Sequence, residues 1–519
     1  MSKYYKNKYD VVIVGGALAG MASALKLNQA GVKDILILEQ HNLPGGVATS
    51  FVRNGVEYEA SLHEMMSIGE NGRCSVGNFF NEFNIDIDWL RVPEAYRFIT
   101  PDIDVTIHAS TNGNFEVPAK EIAEACSDKD GTIFKNVLSF LSVCLKVHDA
   151  SEYVTLHKCS KLEMIFKFPE LVKTAGYSTK EVMDAFHLPK VAQDILSAYW
   201  IYVGNKIDDL PFNVYGYLLA DYLGYGSYIP KNTSFEMALK MANKCEENGI
   251  KIEYGQKIKK ILVKNGKAIG VLLENDEQML ANVVLSGAYP STVYSKMIDK
   301  NEVPSKAIQY VNSRRTSLSC FSVTVLLDAT PDKFNLNGYS IFYSPKSFDM
   351  NRIWNNLKEL ESLDYLTTVC MNFANPSAVP EGKTLYTMVV LPRPEAWKNV
   401  TETNYFQTKY KLADQIIEIE SKRLGVNLKE HIENCIIESP ISIAHYVGAF
   451  QGSIYGYKHA MNDSVVARNF MEDDECYIDG LFFTGAHQLM GDGMAPCIGN
   501  GEHAATQVLK YLKSKRSAK

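Results

Sequence analysis

The chain predicts an α/β fold in which a parallel, helix-covered sheet is interleaved with a second unit made of an antiparallel sheet and a helical lid. Three observations carry this. An apolar run ends in a glycine turn at Tyr9-Asp-Val-Val-Ile-Val-Gly-Gly-Ala-Leu-Ala-Gly20, and a second apolar run closes on Glu39. A glycine-rich segment, Gly480-Leu-Phe-Phe-Thr-Gly-Ala-His-Gln-Leu-Met-Gly-Asp-Gly-Met-Ala-Pro-Cys-Ile-Gly-Asn-Gly-Glu-His-Ala-Ala505, reads strand, loop, helix. Residues 231–290 repeat the short-strand and helix pattern between them, so stretches far apart in sequence build one unit.

The first segment is a βαβ fingerprint. Residues 11–14 form the strand, and Gly15 and Gly16 let the backbone bend tightly beside a pyrophosphate. A helix from near Ala17 through Ala19 points its positive end at that pyrophosphate, and Gly20 permits close helix–strand packing. Ala17 stands where a second glycine is usual. Residues 34–38 form the next strand, and Glu39, followed by Gln40, is placed to accept both hydroxyls of an adenosine ribose. Leu43-Pro-Gly-Gly-Val-Ala-Thr-Ser50 follows directly. The Gly45–Gly46 pair suits FAD, because the chain must run against a pyrophosphate and a ribityl, and Val47 comes next.

Bulk properties bound the rest. With 519 residues and 46% hydrophobic content the chain can fill two interleaved domains. A net charge of -7 argues against nucleic-acid binding. Ten cysteines show no C-x-x-C pair, and no signal peptide is expected, which together predict a reducing, cytoplasmic setting. No window reaches 18 uninterrupted apolar residues, so no membrane span is expected. Both tails are basic, which reads as solvated termini or weak attraction to anionic lipid. The eleven histidines lack ligand spacing, so no metal site is expected.

The expected organisation is a cofactor domain at 1–117, a helical substrate or lid region at 118–230, the cofactor domain again at 231–300, a substrate-domain sheet and helix at 301–440, and a last cofactor segment at 441–519. Residues 132–147 have helical apolar spacing, Ser178-Thr-Lys-Glu181 is a capping box, and Pro189 starts a helix running through Tyr199 and Tyr202. A helix at 234–248, a strand at 249–254 and a hairpin at 257–271 turning on Asn265-Gly266 follow. Strands at 319–327, 339–343, 366–373 and 384–391 form an antiparallel sheet flooring the substrate cavity, with an amphipathic helix at 403–424.

With these motifs the sequence resembles the glutathione-reductase-type FAD-binding flavoproteins, and within the amine oxidase superfamily the phytoene desaturases and their retinol-saturase-like relatives. The resemblance rests on the first fingerprint, the 231–290 block, Gly452-Ser-Ile-Tyr-Gly456 and the Gly485-Ala486 pair, roughly half the chain. It implies a backbone contact to adenine at Ile258 and a flavin loop through Gly485, Ala486, Gly493, Met494, Ala495 and Pro496, with a helix starting near Cys497. Val47 replaces the family's basic residue, and Glu59-Ala-Ser-Leu-His-Glu64 replaces an Asp-x-Gly loop.

The implied activity is hydride transfer at flavin N5 to or from carbon–carbon bonds of a carotenoid, retinoid or unsaturated fatty acid. Desaturation, saturation and isomerisation stay open, as does the electron partner. Glu64, His63, His487 and Asp492 are the candidates for proton transfer, Glu64 first, each weighed against a plain hydrogen-bonding role. His63 is also the candidate for a covalent flavin link, and Cys497 reads as a small helix-start residue rather than a nucleophile. No second glycine fingerprint suggests a nicotinamide domain. For the lid the resemblance adds contact with a membrane surface as an alternative to packing of its apolar faces on the body. The alternatives are an amine oxidase, against which the missing Gly-Glu pair counts, and a non-catalytic prenyl-lipid escort of the same fold.

Overall fold

The computed structural model describes residues 8–157, 159–461, 476–488 and 491–517. Two seven-stranded sheets organise it. The first has the order 258–264, 267–273, 278–286, 9–14, 35–38, 251–253, with 481–483 paired to 278–286. Its centre is parallel: Tyr9–Val14 pairs with Ile35–Leu38 on one side and Gln278–Ser286 on the other. The chain therefore enters this sheet three times. The Asn265-Gly266 turn forms as read, both residues at positive φ of 54° and 70°, which the turn of a twisted hairpin requires. The first helix, Leu18–Gln29, lies against the C-terminal helix, Met494–Ser517. A Cβ on Gly501 would stand 2.6 Å from the Ala19 carbonyl oxygen, so the helices meet almost backbone to backbone.

The second sheet has the order 432–438, 321–327, 384–390, 366–370, 340–343, 96–99, 104–107. It differs from the expected sheet in two ways. Tyr96–Ile99 and Asp104–Ile107 come from the stretch assigned to the cofactor domain, and Tyr96–Ile99 pairs in parallel with Ser340–Tyr343. The strand expected through residue 373 stops at Cys370, and a short helix, Met371–Ala374, follows.

The stretch 118–230, expected as a lid, is largely helical. The first expected helix extends further, over Thr132–Leu156, and the capping box forms at Ser178 and Glu181. The helix expected from Pro189 through Tyr202 is instead two, Lys190–Leu196 and Trp200–Val203. Tertiary contacts account for the break. The hydroxyls of Tyr96, Tyr215 and Tyr365 donate to the carbonyls of Ile195, Leu196 and Ala198, acceptors that a continuous helix would give to its own amides. Most lid faces pack inward, but the helix Lys161–Lys167 leaves Leu162 and Phe166 68% and 81% exposed. Among the described residues no helix is long and apolar enough to cross a membrane.

Candidate active site

The cradle begins where Tyr9–Val14 hands over to the first helix. Gly15 has φ 103°, and a Cβ there would meet open space. The first helix is capped by Ala17, with no side-chain cap and no acid in its first turn, so its opening amides and positive end face that space. A Cβ on Gly20 would sit 2.3 Å from the Gly15 carbonyl oxygen, which makes glycine obligatory there. The alanine at 17 is accommodated across the turn. Gly45 N donates to the Gly16 carbonyl at 2.9 Å, and a Cβ on Gly46 would come 3.1 Å from the Ala17 methyl. The bulk added at 17 is matched by its absence at 46.

Glu39 is buried and holds the turn itself. Its Oε2 accepts from Gly16 N at 2.7 Å and its Oε1 from His41 N at 2.8 Å. Gln256 N donates to the Glu39 carbonyl at 2.8 Å, which brings the start of the Ile258–Lys264 strand beside Glu39. Gln40 and Val47 are exposed on the rim, and the Val47 carbonyl accepts from Ser61 Oγ at 2.8 Å.

The second cradle element is the C-terminal loop. Thr484 N donates to the Ser286 carbonyl at 2.9 Å, and Gly485 has φ 111°. A Cβ on Gly456 would fall 2.5 Å from the Ala486 carbonyl oxygen, so the Gly452–Gly456 motif and this loop touch. The helix starts at Met494, earlier than the expected Cys497, because Cys497 N already bonds to the Gly493 carbonyl at 3.1 Å. Met494, Ala495 and Pro496 are thus its first turn. Asn500 Nδ2 ties the loop down through the Gly485 and Gly491 carbonyls, both at 2.9 Å.

This arrangement fits a large dinucleotide. An uncapped helix end faces open space, and three buried polar atoms on the second loop have no partner among the described residues: Thr484 Oγ1, His487 Nε2 and Asp492 Oδ2. Buried polar groups are normally satisfied, so these are contacts that a polar ligand edge can complete.

The proton-transfer candidates fall into two groups. Glu64 Oε1 accepts from the Tyr202 hydroxyl at 2.8 Å and Oε2 from the Ser227 hydroxyl at 2.5 Å. Burial raises its carboxyl to about 7 against those two bonds, with Glu94 adding to the rise. His63 is adjacent, its carbonyl taken by the Tyr339 hydroxyl, and burial lowers its imidazole to about 4. On the other loop, burial and the Arg314 guanidinium lower His487 to about 3. His63 and His487 are therefore neutral near pH 7. Asp492 is paired with His459 Nε2 at 2.7 Å, and burial raises its carboxyl. Tyr455 is within electrostatic reach of Tyr202 and of Asp492.

Several groups escaped the sequence reading. Tyr202 and Ser227 fix Glu64, His459 fixes Asp492, and Glu59 is a second buried carboxyl raised to about 7, its oxygens accepting from Ser234 N and Oγ. Only Glu59 had a signal, as the first residue of the unusual 59–64 loop.

A family model described as an NAD(P)-binding Rossmann-like domain matches residues 13–83. Over 97% of its length, against 80% of the relative, the chain is 22% identical to a chloroplastic prolycopene isomerase of Daucus carota. An all-trans-retinol 13,14-reductase of Danio rerio is 24% identical over 92% of this chain and 82% of the relative. A phytoene desaturase of Fusarium fujikuroi is 22% identical over 97% and 90%. The chain is a homologue of these enzymes. Its fold is also that of putrescine oxidase, at a TM-score of 0.63, 12% identity and coverage of 97% and 99%. Cyclohexylamine oxidase of Brevibacterium oxydans gives 0.59, 10% identity and coverage of 97% and 99%. With such relatives along nearly its whole length, the chain is an enzyme of the oxidoreductase type.

Proposed function

We propose that the protein is an FAD-dependent oxidoreductase acting on carbon–carbon bonds of an apolar polyene. The observation that carries this reading is Glu64, a buried carboxyl raised to about 7 and bonded by Tyr202 among aromatic rings. Gly15, Gly16, Gly45, Gly46 and Glu39 would hold the adenosine and pyrophosphate end, and the Gly485 and Gly493–Pro496 loop the flavin end. FAD bound there supplies hydride exchange.

The chain's own residues do the rest. Tyr202 and Ser227 fix both oxygens of Glu64, so its proton is delivered from one place. Protonated, Glu64 can give a proton to the carbon beside the one exchanging hydride; ionised, it can take one. Tyr96, Tyr199, Tyr202, Tyr222 and Phe342 form a packed aromatic wall around it, with ring centroids 4.7–5.8 Å apart, which excludes water and suits a flat conjugated chain. The exposed Leu162 and Phe166 helix would rest on a lipid surface from which such a chain is drawn. Flotation with liposomes should weaken in Phe166→Asp, and unchanged flotation would remove that part of the proposal.

The test is an anaerobic absorbance titration of the flavin-loaded protein with retinol, a carotene, linoleate and a small amine panel. Bleaching by a polyene defines a desaturase. Reoxidation of dithionite-reduced flavin by a polyene defines a saturase. A change of double-bond geometry without net reoxidation defines an isomerase. Bleaching by an amine and by no polyene would overturn the reading.

A further inference from the structure

Residues 314–319 and 453–459 run antiparallel. Thr316 bridges to Tyr457 and Ser319 to Ser453, and Lys458 N donates to the Arg315 carbonyl at 2.7 Å. Successive residues on such a pair project to opposite sides, and the two sides differ in what they hold. Arg314 and His459 face the loop proposed to carry the flavin. Arg314 Nη1 donates to the His487 carbonyl at 3.3 Å, and His459 Nε2 pairs with Asp492 at 2.7 Å. The Arg314 guanidinium also lies 4.2 Å from the centre of the Tyr457 ring, on that same side. Arg315 and Lys458 are the opposed pair on the other.

That other side gathers cations. Lys458 Nζ lies 4.7 Å from the centre of the Trp354 ring, and the Arg393 guanidinium 5.2 Å from it. Lys206 Nζ donates to Asn351 at 3.3 Å, on the same short helix as Trp354. Burial lowers the half-buried Lys458 ammonium, and Arg393, Arg315 and Lys206 lower it further against an opposing pull from Asp209. Carboxylates are too few to balance the set. Asp209 pairs with Lys206 at 3.4 Å and Glu395 with Arg393 at 2.7 Å. Neither Arg315 nor Lys458 has a carboxylate partner among the described residues. An indole ring attracts cations without cancelling their charge. An ammonium half-buried among three like charges is unfavourable unless an anion completes the group. Arg315 is exposed, so the cluster is open to solvent, a positive island on a chain of net charge -7.

We propose that Arg315, Lys458, Arg393 and Lys206 form a binding site for the phosphate group of a soluble small molecule. The two unpaired cations match the two charges of a phosphate monoester, and the guanidinium groups suit its oxygens. A single carboxylate would leave one cation unmatched. Because Arg315 and Lys458 share their backbone with Arg314 and His459, a phosphate seated here bears on the two segments that hold the flavin loop. That coupling rests on the flavin reading above, whereas the site itself does not.

The experiment is calorimetric titration of the flavin-loaded protein with inorganic pyrophosphate, the loaded flavin keeping the probe out of the cradle. One-to-one binding is expected. Lys458→Met and Arg315→Met should each weaken it about tenfold, the loss of one charged contact, while Lys458→Arg keeps it. At saturation the visible flavin bands should shift, and in the two methionine variants they should stay in place at the same pyrophosphate concentration. No binding by the parent protein, or equal binding by parent and both methionine variants, would overturn the site. Binding that leaves the flavin spectrum unmoved would overturn the coupling alone. Tighter binding of NADP+ than of pyrophosphate supports a soluble ligand. Retention on phosphatidic acid vesicles that both methionine variants lose, with no gain for NADP+, would replace it by a lipid headgroup. A protein that takes up no flavin would overturn the function proposed above, and the methionine variants would still decide whether this site binds pyrophosphate.

Discussion

The cofactor sheet is apolar on both faces, whereas the second sheet is apolar on one face and mixed on the other. In Tyr9–Val14, Val11 and Ile13 join one core and Val12 and Val14 another; Ile35 and Ile37 divide from Leu36 and Leu38 in the same way. In the second sheet Val323 and Val325 are core, but Ser322 and Thr324 beside them face the cofactor half. In the proposed reading the first sheet is a scaffold whose backbone turns would hold the ligand, and the second a surface that would present side chains to it. Backbone sites are broken by adding atoms, and side-chain sites by exchanging them.

The largest effect expected from breaking that contrast is in the cradle. Gly20→Val puts a side chain against the Gly15 carbonyl, 2.3 Å from its first carbon, and overpacking of this kind costs about 1–3 kcal/mol or more. The absorbance ratio of the purified variant should show no flavin. Full occupancy would mean that the first helix moves freely relative to the turn.

Next is Glu64→Gln, which keeps shape and flavin but removes the titrating proton. Turnover should fall about 10²–10⁴-fold. In the parent protein, a direction of reaction that needs the protonated carboxyl should decline as pH rises through about 7, and the reverse direction should gain. A profile flat across that range would take Glu64 out of the chemistry.

A third measurement follows Tm against pH. Glu59, Glu64 and Glu438 each have carboxyls raised by burial from 4.5 to about 7. A raised carboxyl contributes stability that is fully present below the unfolded value and lost as pH rises through the folded one. Tm should therefore fall between about pH 5 and about pH 8, and Glu59→Gln should flatten the slope. A Tm that climbs over the same interval would contradict these environments. The smallest effect belongs to the lid. Ser178→Ala removes a capping box in which Ser178 Oγ accepts from Glu181 N at 3.2 Å and Ser178 N donates to Glu181 at 2.7 Å, at a cost of about 1 kcal/mol.

Legibility in the sequence follows the same contrast. The glycine turns, the Asn265-Gly266 hairpin and the capping box were readable because each is a local rule: positive φ, close approach, or a side chain bonding to a backbone three residues away. The break at Ser197–Tyr199 was not readable, because tyrosines at 96, 215 and 365 cause it. Nor was the membership of Tyr96–Ile99 in the second sheet, since a short strand carries no record of its partner.

By itself the sequence determined that a dinucleotide cradle exists, where its turns lie and which residues permit them, since backbone conformation and close packing are set by neighbours along the chain. Only the tertiary structure decided that Tyr202 and Ser227 hold Glu64 and that His459 holds Asp492. These depend on contacts between residues up to 163 positions apart and on desolvation, which no local pattern encodes.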